Sequence, residues 1–152
     1  MLCNSRAATH QLIRFRVGEG EYGLDLLKVK EVIRTREVTW PPKTPNCVKG
    51  VINLRGDVIP IVDLRERFGL CQRESTEGAR VIVVEVEGKN VGLAVDSASQ
   101  VARIPAERFS DAPSIIKDST KNFITSVGRL EDGLVIMLDA GKIFSAEEIE
   151  AI

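Results

Sequence analysis

The chain is short of the residues on which most catalytic sites depend. One histidine, His10, serves 152 residues, so a Ser-His-Asp or Cys-His relay has a single candidate base, and it lies in the polar N-terminal stretch. There are three cysteines, Cys3, Cys47 and Cys71, and no two are at Cys-x-x-Cys spacing. An odd, scattered set fits a reducing compartment better than a disulfide framework, and with one histidine it is a poor source of zinc ligands. Aromatic residues are 5% of the chain, too few for a base-stacking platform. Neither sign of charge dominates: 21 basic side chains face 22 acidic ones, net −1, which excludes a generic nucleic-acid or anionic-membrane footprint. The longest apolar runs, such as Leu134–Leu138, are far below the ~20 residues that span a bilayer. Met1–His10 holds no apolar stretch of signal-peptide length. No GxGxxG opens a helix and no GxxxxGK[ST] occurs.

What is present describes a globular domain. Hydrophobic residues are 43% and charged residues 28%, and a chain of this size buries about two-thirds of its unfolded surface without a metal or disulfide staple. The patterning is mostly that of strands. Leu12–Val17 partly alternates, 18–21 reads as a turn, and Tyr22–Asp25 returns. Leu26–Arg34 reads as a helical turn feeding a strand. Three prolines between Val38 and Asn46 exclude a central strand or helix interior and predict an extended loop. Val48–Leu54, the turn 55–57 and Val58–Val62 form a second hairpin. A short helix follows, capped by Asp63 and ended by Gly69. After the polar stretch 71–79 come a hairpin of Arg80–Val86 and Val91–Val95, then another of Phe123–Leu130 and Leu134–Leu138. A helical piece runs to Phe144, and the capping box Ser145-Ala146-Glu147-Glu148 predicts a C-terminal helix.

Two segments recur. Gly56–Leu64 parallels 132–140: a turn, five mostly apolar residues and a capping aspartate. Glu19–Leu24 parallels Glu87–Leu93. Two β units, each too small to bury a sheet face alone, are expected to pack on a shared core and to avoid exposed edges by closing into barrels.

Paired carboxylates offer no acid–base site: Glu19 and Glu21 flank a turn, Glu147, Glu148 and Glu150 fall on the terminal helix, and both groups read as solvated. What remains is a surface for binding proteins. Glu31 sits among Val29, Val32 and Ile33, and Arg55 follows Val51, Ile52 and Leu54. These charges are either independent solvent-facing residues, each pair then contributing ~0–1 kcal/mol, or the halves of an ion pair that fixes a docking surface. Spacing alone favours the first.

The segment Val48-Lys49-Gly50-Val51-Ile52-Asn53-Leu54-Arg55-Gly56, continued by Ile59-Pro60-Ile61-Val62-Asp63-Leu64-Arg65, strongly resembles the signature of the CheW family of bacterial chemotaxis coupling proteins. Further marks are Glu21–Val32, Val91–Asp96 and Leu134–Asp139, and the likeness runs from about Leu12 to Phe144. It implies a mainly β fold of two five-stranded SH3-like barrels on a shared core with short helices. It also implies a flexible tail over 1–11 and one domain over 12–152, divided near 71–79, with strand exchange between barrels allowed. The implied activity is a non-enzymatic adaptor between chemoreceptor tips and the regulatory domain of the histidine kinase CheA. It would be cytoplasmic and recruited to receptor arrays, with no cofactor, metal, nucleic acid or membrane insertion. The family's contact positions fall on Val29, Glu31 and Arg55, with Asn53 and Leu54 in the same motif and Val81 and Ile82 lining a receptor-facing groove. In the family, the arginine at position 55 braces Glu31, which reverses the preference from spacing. Ala98, Ala102 and Ser126 depart from the family's usual residues. The alternatives are a CheW-like domain of a larger signalling protein, for which no receiver or kinase motif is present, and a small barrel binding peptides or oligonucleotides.

Overall fold

The computed structural model describes residues 9–34, 50–67, 78–111 and 123–143. The loop expected at Val38–Asn46, the C-terminal helix and all three cysteines lie outside them.

Among the described residues, eleven strands build two sheets. One hairpin is β1 (Thr9–Val17) with β2 (Gly20–Asp25). A 3-10 turn, Leu26–Lys28, leads into β3 (Val29–Arg34). β4 (Gly50–Leu54) and β5 (Asp57–Asp63) form the next hairpin, followed by a short helix, Leu64–Arg67. β6 (Arg80–Val86) and β7 (Lys89–Val95) form the third, and β8 (Ser97–Pro105) continues through a second 3-10 turn, Ala106–Arg108, into β9 (Phe109–Asp111). β10 (Ile124–Leu130) and β11 (Gly133–Leu138) form the last hairpin before the helix Ala140–Ile143.

The two sheets share one plan. The first runs β3-β6-β7-β5-β4 and the second β8-β1-β2-β11-β10, with β9 added beyond β10. Each holds an antiparallel hairpin flanked by an antiparallel strand on one side and, on the other, by a parallel partner that is the second strand of another hairpin. The two sheets repeat one order of strands: β3, the β6–β7 hairpin and the β4–β5 hairpin of the first answer to β8, the β1–β2 hairpin and the β10–β11 hairpin of the second. The expected division near 71–79 is corrected: the chain between β5 and β6 leaves and re-enters the same sheet. The chain crosses between sheets at Leu26–Lys28 and at Asp96. The expected count of five strands holds for the first sheet, and the second has six.

Both sheets curl closed. β3 and β4 are opposite edges of the first sheet, yet Arg55 in the β4–β5 turn donates to Glu31 of β3, so the edges meet. β8 and β9 are opposite edges of the second, yet only three residues separate them. A closed sheet has two buried faces, one lining its barrel and one facing the other barrel. β6 shows this directly. Val81 and Val83 join Ile52, Ile59 and Ile61 inside the first barrel, while Ile82, Val84 and Val86 join the shared core. That core also takes Ile13, Phe15 and Leu24 from the second barrel, which fills its own interior with Leu12, Ile104 and Val135. Burying a Val, Leu or Ile side chain is worth roughly 1.5–3 kcal/mol, so these clusters are the main support of the fold.

Candidate docking surface

The β4–β5 hairpin turns on two residues, Arg55 and Gly56, with Leu54 opposite Asp57. Both have positive φ, 53° and 90°, as a two-residue turn matched to strand twist requires. Asn53 secures the turn: its Oδ1 accepts from the Gly56 N–H at 3.1 Å. Leu54 is half-buried against the first barrel's interior. The turn thus projects Arg55 from a braced base.

Glu31 comes to meet it because β3 is bulged. The register with β6 shifts between Val29 and Glu31, which moves the two residues to different faces. Val29 pairs with Val84 and packs against the shared core, whereas Glu31 pairs with Val83, on the side of the first barrel's interior. At that barrel's rim Arg55 Nη1 lies 2.8 Å from Glu31 Oε2. The glutamate side chain is 28% exposed and the arginine 76%. The pair is mostly wet, so its net contribution to stability is of the order of 0–1 kcal/mol. Its effect is to hold a guanidinium at a fixed place facing solvent.

Glu31, Asn53, Leu54 and Arg55 therefore form one locality at the first barrel's rim, and Val29 lies beside it at the start of β3, turned to the shared core. Val81 and Ile82 do not belong to it. Both are fully buried, and the expectation that they line a groove is corrected: β6 lies between two cores, so neither of its faces reaches solvent there.

Sequence reasoning missed Leu27. It is 91% exposed on the 3-10 turn between the barrels, while Asp25 Oδ1 caps that turn through the Leu27 N–H at 3.0 Å. The signal was available, since three residues in a crossover cannot bury two adjacent leucines. Also missed was an open cleft of about 390 Å³ beside the same turn. Asp25, Lys28, His10 and Phe109 line it, and Leu24, Met137 and Leu138 supply apolar lining. His10 and Phe109 meet edge to face at 5.2 Å. Glu21, expected as a solvated carboxylate, instead pairs with Arg14. No helix among the described residues is long and apolar enough to cross a membrane.

Residues 11–148 match the CheW-like domain family. The chain is 35% identical over 142 residues to the chemotaxis protein CheW of Klebsiella aerogenes, covering 93% of this chain and 86% of that one. It is 30% identical over 141 residues to the chemotaxis protein CheW of Bacillus subtilis, covering 93% and 90%. Among solved structures, the scaffolding protein TtCheW of Thermoanaerobacter tengcongensis superposes with a TM-score of 0.81 at 31% identity, covering 91% of this chain and 94% of that one. The double barrel and these likenesses together place the chain in the CheW family.

Proposed function

We propose that this chain is a non-enzymatic adaptor of chemotaxis signalling that couples chemoreceptor tips to the histidine kinase CheA. The observation that carries the reading is the Glu31–Arg55 brace at a barrel rim, with the exposed Leu27 and the half-buried Val29 just before Glu31 in the chain. A receptor tip presents helices. An apolar stripe on one of them would lie over Leu27 and Val29, and a carboxylate beside the stripe would take the free face of the Arg55 guanidinium. Glu31 has already ordered that side chain, so less rotamer entropy is lost on docking. The kinase's regulatory domain would meet a second surface, barrel to barrel. Each contact is modest, and an array of many gains through effective concentration. The adaptor works in the cytoplasm, recruited to membrane-bound receptors, and the signal passes as a change in relative placement with no bond made or broken.

The test is binding of a receptor cytoplasmic fragment to the wild type, Arg55→Ala and Glu31→Lys, with melts run alongside. Both variants are expected to keep the fold and lose ~1–3 kcal/mol of affinity, the scale of a truncated charged hydrogen bond. Unchanged binding in both would remove the brace from the interface.

A further inference from the structure

Asp96 stands where the chain crosses from the first barrel to the second, between β7 and β8. Its N–H donates to the Arg16 carbonyl of β1 at 2.9 Å. Its Oδ2 accepts from the Gly18 N–H in the β1–β2 turn at 2.8 Å and from Arg65 Nη1 at 2.5 Å. Gly18 belongs to the second barrel's hairpin. Arg65 belongs to the helix that follows β5 of the first barrel, and its own N–H is fixed by Asp63 Oδ1 at 2.9 Å. One carboxylate therefore joins the crossover to both barrels. The pair is well shielded, with side-chain exposures of 14% for Arg65 and 22% for Asp96, so water screens it less than the Glu31–Arg55 pair.

The shared apolar core holds the barrels together, but burial is non-directional. A guanidinium–carboxylate pair anchored at both ends has a direction. We propose that Asp96 and Arg65 are positioning residues that set the angle between the two barrels, and so the placement of the Glu31–Arg55 surface relative to whatever the second barrel grips. The inference rests on the adaptor reading for its consequence, because an adaptor that signals by placement needs a fixed internal angle. It does not rest on that reading for its geometry.

The experiment separates the two. One-bond N–H residual dipolar couplings are measured on the whole chain and fitted separately to the two sheets, for the wild type, Arg65→Met, Arg65→Lys and Asp96→Asn. Receptor-fragment binding and three-way assembly with the kinase are measured on the same samples. In the wild type one alignment tensor is expected to fit both sheets. In Arg65→Met, which keeps the apolar stem, the sheets are expected to need different tensors while chemical shifts within each sheet stay put. Arg65→Lys is expected to restore the single tensor in large part. Three-way assembly should fall roughly tenfold in Arg65→Met, the scale of one charged hydrogen bond, with binding of the receptor fragment alone little changed. If Arg65→Met does not fold, Asp96→Asn replaces it, since the amide oxygen can still accept from Gly18. A single tensor in the charge-removing variant would overturn the positioning role. Separate tensors with undiminished three-way assembly would overturn its link to function. Failure of the wild type to bind the receptor fragment would instead refute the adaptor reading and leave the tensor result standing.

Discussion

Arg55 occupies a backbone conformation that does not suit it. A non-glycine residue at φ 53° costs of the order of 1–3 kcal/mol, and asparagine followed by glycine is the preferred pair for such a turn. An arginine held there, with its side chain bonded to Glu31 across the barrel seam, is a residue kept for what the guanidinium does. Arg55→Asn separates the two effects. Its melting temperature is expected to equal or exceed that of the wild type, while affinity for the receptor fragment falls by ~1–3 kcal/mol. A fall in both would make the arginine structural. Tyr22 gives a second prediction at this scale. It stacks on Phe15 at 5.9 Å, and burial raises its phenol pKa above the ordinary value. The neutral phenol is the form the fold prefers, so its contribution is complete below the unfolded value near 10 and is lost as pH rises through the raised folded value. Urea midpoints are therefore expected to decline above that pH in the wild type and to decline less in Tyr22→Phe. Parallel curves would show that the ring carries no alkaline sensitivity.

Among the elements, β7 is the most closely fitted. Gly92 pairs with Val83 on one side and Ile61 on the other, and a Cβ there would lie 2.4 Å from Ile61 Cδ1 and 2.7 Å from Val81 Cγ1. Gly92→Ala is expected to overpack the first barrel and cost roughly 1–3 kcal/mol by equilibrium urea unfolding. A neutral result would mean that Ile61 and Val81 can give way. The hairpins were readable because apolar runs separated by glycine turns survive in any context, and the Asp63 cap was readable because it is local. β8 was not readable from its pattern: Ser97–Pro105 holds only two large apolar residues, Val101 and Ile104, and owes its strand to pairing with β1. The burial of Val81 and Ile82 was equally hidden. A run of four apolar residues tells a reader that both faces are covered, but not that a second barrel does the covering. The bulge at Val29–Glu31 leaves no mark in the sequence at all, and it is what delivers Glu31 to Arg55.

At the scale of the molecule, duplication and a shared core tie the two barrels into one body. The chain crosses between the sheets twice and packs side chains of both into one apolar core, so the barrels cannot part without exposing Phe15, Leu24, Ile82 and Val84 to water. Unfolding is accordingly expected to be one cooperative transition, with urea midpoints read from the amide resonances of each sheet that coincide. Two separated midpoints would show barrels that fold independently. A rigid two-barrel body gives a partner two surfaces at a set separation, which is what coupling by placement needs. The most direct measurement is co-sedimentation of CheA with receptor-bearing vesicles in the presence and absence of this chain. The account predicts that the kinase pellets with the vesicles in quantity when the wild-type chain is added and far less with Arg55→Ala. Kinase that pellets equally without the chain, or never with it, would contradict the account.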